Sequence, residues 1–170
     1  YDDFGTTEAE VNAIVGPVYQ SLCRYAVQHN FMVLHDGAGD MLLIPSKRGG
    51  DWWDGGQFRE IHMHEWVVTN NAIKDGWNRC TEAISTANLV LYILKDNQVI
   101  SAELKKKLEA EVRGVRAFWL YVMIDNWGNI PLVTDYGNTE LPTNTPRADV
   151  YKFIMSELNE IKDILRSDVT

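Results

Sequence analysis

One segment narrows the fold more than any other. Residues 101–127, SAELKKKLEAEVRGVRAFWLYVMIDNW, place Leu104, Leu108, Val112, Val115, Trp119 and Val122 on one stripe at spacings of three and four, the mark of a helix with a packed face. Gly114 and Ala117 add a second face of small residues. A helix that is apolar or small on two faces must be sandwiched between neighbours, and stacked helical hairpins supply that arrangement.

Three other segments carry the same period. The first, TTEAEVNAIVGPVYQSLCRYAV from Thr6, opens on a capping box, Thr7 with Glu10 three residues on, and sets Val11, Ile14, Val15, Val18, Leu22 and Tyr25 on one side. Pro17 is expected to kink or split it. The second, residues 71–96, carries Ile73, Trp77, Cys80, Ile84, Leu91 and Leu94, with Ala83 and Ala87 permitting close approach of another helix. The last, residues 148–165, aligns Val150, Ile154, Leu158, Ile161 and Leu165. Only a few residues around Asn97–Ile100 separate the second pattern from the 101–127 segment, so those two are read as an antiparallel pair, and the last as the first half of another. The expected fold is all-α, a superhelix of tetratricopeptide-like hairpins with long irregular loops, residues 1–170 forming one helical region without the full repeat signature. Short strands are expected only near Met41–Ile44 and Glu60–Val68.

The charge balance excludes some partners. A net charge of -8 argues against nucleic acid or an anionic membrane surface, which reward clustered Lys and Arg. The single basic run, Lys105 to Lys107, fits a solvated helix face. Six tryptophans and 11% aromatic residues point towards sugar or aromatic ligands, because Trp on a surface needs a reason. Cys23 and Cys80 are too few and too far apart for a disulfide framework, and each is expected as a small buried hydrophobe in a helix. No stretch approaches the ~20 apolar residues of a membrane helix, and YDDFGTTEAE is not a signal sequence. Any targeting segment is expected to have been removed.

PSKRGGDWWDGGQFREIHMHEW, Pro45 to Trp66, is the segment with a functional character. Gly49-Gly50 and Gly55-Gly56 bracket Asp51-Trp52-Trp53-Asp54, and paired glycines permit the turns that hold a short aromatic segment out on a loop. An indole face packs on the CH face of a pyranose, while Asp, Arg or Asn groups hydrogen-bond its hydroxyls. The alternative is that Trp52 and Trp53 are plugs anchoring an irregular loop; the expectation is one tryptophan in each role. Trp66 and Trp77 are read as core residues. His62 and His64, alternate positions of an extended segment, would point the same way as a metal pair, but no third ligand is evident and no metal or cofactor is expected. Asp51 and Asp54 could in principle serve a glycosidase as acid and base, yet they lack the rigid, separate supports such a pair needs. Arg113 and Arg116 are expected to pair with carboxylates and loop carbonyls. Trp127-Gly128-Asn129-Ile130-Pro131 reads as a helix stop.

EAEVRGVRAFWLYVMIDNWGNIPLVTD, followed by TPRADVYKFIMSELNEI, resembles the RagB/SusD family of glycan-binding lipoproteins, as do GDMLLIPSKRGGDWWDGG, HMHEW and WNRCTEAISTAN upstream. Asn129 stands where the family has Asp, and Ala148 where a Ser or Thr cap is common. Members are several-fold longer, so the resemblance implies an N-terminal portion. It also implies a non-enzymatic protein that binds oligosaccharide at the cell surface and passes it to a TonB-dependent outer-membrane transporter, anchored by a lipid upstream of Tyr1. The implied glycan platform takes in Asp40, Arg48, Trp66 and Asn70 beside Asp51, Trp52, Trp53 and Asp54. A helical-repeat scaffold that binds only protein fits the helices equally well.

Overall fold

The computed structural model describes residues 5–25 and 28–165, with the side chains of residues 24–25 and 28–29 left aside, so the expected inward position of Tyr25 lies outside the described residues. Helices dominate: α1 (Glu8–Tyr25), a π-helical turn (Gln28–Met32) running into the short α2 (Val33–His35), a 3-10 turn (Asp54–Gly56) running into α3 (Gln57–His62), α4 (Asn71–Lys95), α5 (Ala102–Trp127) and α6 (Arg147–Ile161). The chain divides into two compact units, residues 1–21 with 80–170 and residues 22–79.

In the first unit the expected stripes converge. Val11, Ile14, Val15 and Val18 of α1, Ala87, Val90 and Leu94 of α4, and Leu108 and Val112 of α5 form one buried cluster, closed by Ile100 from the connection. The capping box of α1 is made in both directions: the Glu10 amide donates to the Thr7 hydroxyl at 3.3 Å and the Thr7 amide to the Glu10 carboxylate at 3.2 Å. That carboxylate also accepts the Thr6 amide, and these bonds hold the Glu10 carboxyl below its usual pKa. Pro17 does not split α1. Both it and Ala13, whose carbonyl loses its partner, are exposed, so water can take the place of the missing amide. Ser101 caps α5 through the Leu104 amide at 3.2 Å, and the Lys105 ammonium donates to the Lys95 carbonyl at the end of α4.

The other face of α5 receives α6. Gly114 faces Ile161 there, where an added Cβ would lie 3.4 Å from the Ile161 side chain, an ordinary contact. The inward face of α6 differs from the sequence reading: Val150, Ile154 and Ile161 are buried, but Leu158 and Leu165 are each 39% exposed, and Glu157 occupies the inner position instead. α6 also ends at Ile161, short of Leu165.

Glu157 is buried because α5 offers it two arginines. Arg113 grips it through Nε at 3.1 Å and Nη2 at 2.6 Å, and Arg116 adds Nη2 at 2.6 Å. Arg116 also donates to Asn88 Oδ1 at 2.8 Å and to the Thr134 carbonyl at 3.5 Å, while Asn88 donates to the Val133 carbonyl at 2.9 Å. The network pins the connector after α5 to both α4 and α6, so the expected pairing of both arginines is found. Burial pushes the Glu157 carboxyl up, but the two guanidiniums outweigh it and hold it below the ordinary range.

Two further corrections concern strands. No strand forms at Met41–Ile44, and the other expected stretch, Glu60–Val68, begins inside α3, which is helical because Phe58 and Ile61, three apart, are both buried. The strands that do form are β1 (Ile130–Pro131) and β2 (Asn144–Thr145), antiparallel with Ile130 opposite Thr145. Gly128, at φ +74 and ψ -104, ends α5 as expected. Asn129 then accepts the Arg147 amide at 2.9 Å, which caps α6 from outside its own sequence where Ala148 cannot. Cys80 is buried, with its thiol pushed up to about 12 by burial, but Cys23 is exposed and is not the core residue expected.

Candidate functional site

The Pro45–Trp66 loop belongs to the second unit and rests on a small core of Val33, Phe58, Ile61 and Ala72. Its turns are closed by successive backbone bonds, Lys47 amide to Asp51 carbonyl at 2.8 Å, Gly50 amide to Lys47 carbonyl at 3.0 Å and Trp53 amide to Gly50 carbonyl at 3.2 Å. Gly49, Gly50, Gly55 and Gly56 all take positive φ, so the paired glycines do what the sequence required of them. Trp52 (φ +63) and Asp54 (φ +41) are also left-handed. For a bulky side chain this is an uncommon backbone state, costing about 1–3 kcal/mol, and such strain gathers at ligand sites.

Trp52 forms the wall shared by two adjoining clefts. One, of about 310 Å³, lies between Trp52, Lys47, Met32 and Leu43; the other, of about 250 Å³, lies between Trp52, Trp53, Arg59, His62 and Met63. One edge of Trp52 leans on buried Phe58, ring centres 6.3 Å apart, and the Lys47 ammonium lies 6.0 Å from the ring centre. The ring remains 38% exposed. Trp53 is 51% exposed and covers Gly56, where an added Cβ would come within 3.3 Å of the indole. Each tryptophan is therefore part anchor and part open face, whereas the sequence suggested a division of roles.

The remaining expected residues separate into two groups. Arg48, Asp51 and Asp54 are exposed on the same loop and Asp40 on the turn before it, but none of them lines either cleft. Trp66 is 60% exposed, against the expectation of a core residue, and is tethered by its indole N–H to the Ile61 carbonyl at 3.2 Å. Trp77 is half-buried. Asn70 is buried and fully engaged: its Oδ1 accepts the Ala72 amide at 3.0 Å at the start of α4, and its Nδ2 donates to the Gln57 carbonyl at 3.0 Å and Glu60 Oε2 at 2.8 Å. It holds the loop to the helix and offers nothing to a ligand directly.

His62 and His64 do not lie on the extended segment that the sequence reading assumed. His62 ends α3, while His64 is left-handed at φ +58 and its Nε2 lies 2.7 Å from the Ala38 carbonyl. Among the described residues no group of three His, Cys, Asp or Glu side chains could hold a metal ion. The sequence reading missed Lys47, Arg59 and the apolar side chains Met32 and Leu43; no local signal marks them, because the clefts arise from segments brought together by folding.

No protein-family model and no curated protein sequence matches the chain. Solved structures do. A laminarin-binding SusD-like protein superposes with a TM-score of 0.82 at 19% identity, over 97% of this chain and 36% of its own. A SusD-like protein from Bacteroides fragilis gives 0.81 at 17% identity, over 100% and 32%. Surface glycan-binding protein A from Bacteroides fluxus gives 0.75 at 19% identity, over 92% and 33%. The chain thus spans about a third of the length of these structures. The all-α, tetratricopeptide-like architecture of this chain is the SusD-like fold.

Proposed function

We propose that this chain is part of a non-catalytic cell-surface protein that captures oligosaccharide and hands it to a TonB-dependent outer-membrane transporter. The observation that carries the proposal is Trp52, a large aromatic ring held at positive φ and open to solvent between two clefts. Two faces of such a ring suit the CH faces of successive sugar units, and Trp53 continues the surface. Arg48, Asp51, Asp54, Asp40 and Trp66 supply hydrogen-bonding and stacking groups around the rim, and Asn70 positions the loop. Structural relatives support the ligand class, one described as laminarin-binding and another solved with a xylogluco-oligosaccharide. Asp51 and Asp54 line neither cleft and sit three residues apart on one loop, without the separate supports that an acid and base pair needs, which favours binding over hydrolysis. Surface exposure and a lipid anchor follow from the same reading.

Titration calorimetry of the intact protein against a panel of plant and algal oligosaccharides tests capture, with hydrolysis followed by chromatography in parallel. Saturable binding without cleavage is expected; cleavage, or no binding across the panel, counts against the proposal. Recovery of a large barrel protein on purification from mild detergent tests delivery. A second reading, a scaffold that binds only protein, is favoured by Tyr151, Met155 and Leu158, an exposed apolar line on α6. It predicts capture of a protein partner with no saccharide binding.

A further inference from the structure

The charge lining the two clefts runs opposite to that of the chain. Acidic residues outnumber basic ones by 24 to 16, yet the ionisable side chains that line the clefts are Lys47, Arg59 and His62, without a carboxylate. The nearest sequence acids are accounted for elsewhere. Asp51 and Asp54 point their carboxylates to neither cleft, and Glu60 is held by Asn70. Arg59 forms no ion pair or side-chain hydrogen bond among the described residues, and Lys47 meets only the Trp52 ring. Arg113 and Arg116, by contrast, share Glu157.

We infer that the oligosaccharide taken by this face is anionic, with carboxylate or sulfate groups on its sugar units. This rests on the saccharide-binding reading above. A neutral glucan would stack on Trp52 and leave both cations without a counter-charge. Acidic units on either side of the Trp52 wall would meet Lys47 in one cleft and Arg59 in the other. The guanidinium fork matches a carboxylate or sulfate in two parallel hydrogen bonds, and the ammonium adds a point charge beside the ring.

The test is calorimetric titration of the intact protein with matched pairs: an oligogalacturonide and its carboxyl-reduced counterpart, and a sulfated galactan oligosaccharide and its desulfated counterpart, with laminarihexaose as the neutral reference. The charged member of at least one pair should bind about tenfold tighter or more than its neutral twin, and the pair that shows it identifies carboxylate or sulfate. Arg59→Gln and Lys47→Gln, each checked for unchanged helicity, should remove most of that difference, read as the ratio of charged to neutral affinity within each variant. Equal affinity within both pairs overturns the inference, as does full retention of the charge preference in both variants. If no saccharide of either kind binds, the binding reading itself fails.

Discussion

Replacing Trp52 by alanine and, separately, by glycine distinguishes what its ring does for a ligand from what its backbone does for the loop. The side chain is 38% exposed, so about three-fifths of it is covered. Truncating a fully buried Trp costs about 3–5 kcal/mol, which scales here to roughly 2–3 kcal/mol of stability. The backbone term acts differently in the two variants. At φ +63 alanine keeps a steric penalty of about 1 kcal/mol that glycine sheds, set against the greater freedom of glycine in the unfolded chain. Urea unfolding should therefore find the glycine variant no less stable than the alanine variant. Affinity should fall alike in both, by ~2 kcal/mol or about thirtyfold for a stacking residue at the centre of a site, measured by calorimetry with the best-bound oligosaccharide. Trp53→Ala should give a smaller affinity loss, since only one cleft includes it. Unchanged affinity in both Trp52 variants, with stability lowered, would make the ring a plug and remove this loop from the binding site.

Glu157→Ala strands the buried Arg116 and should destabilise by about 3–5 kcal/mol in denaturant unfolding; a loss under 1 kcal/mol would refute the network as a structural element. Because the folded Glu157 pKa lies below the ordinary 4.5, its contribution is present above that pH and is lost as the pH falls through the folded value, so the stability gap to Glu157→Gln should narrow between pH 7 and pH 3, and a constant gap would contradict the ion pairing. Asn129→Ala should cost ~1 kcal/mol by uncapping α6, while Asn129→Asp should preserve or raise stability because a negative charge favours a helix N-terminus; equal stability of all three forms would deny the cap. A maleimide should label Cys23 readily and the native Cys80 slowly, since burial keeps the latter a neutral thiol at pH 8; fast labelling at both sites would show that Cys80 is accessible.

The residues of this chain announce their helices because helical order is local. The stripe along α5, the Thr7–Glu10 box, the Ser101 cap and the Gly128 stop each involve positions within one or two turns, so spacing and residue type suffice. The glycine pairs around Trp52 and Trp53 are legible for the same reason, since a positive φ is a property of one residue. Tertiary structure decided what depends on distant partners. Glu157, a charged residue by any local rule, faces inward because Arg113 and Arg116 wait on another helix, and Leu158 is turned outward in consequence. β1 and β2 pair across a connector with no period of its own. Asn70, polar and apt for a ligand on paper, is consumed by Gln57, Glu60 and Ala72, while Trp66 is left exposed. The clefts beside Trp52, and the cations that line them, come from segments up to some thirty residues apart, whose meeting no local pattern encodes.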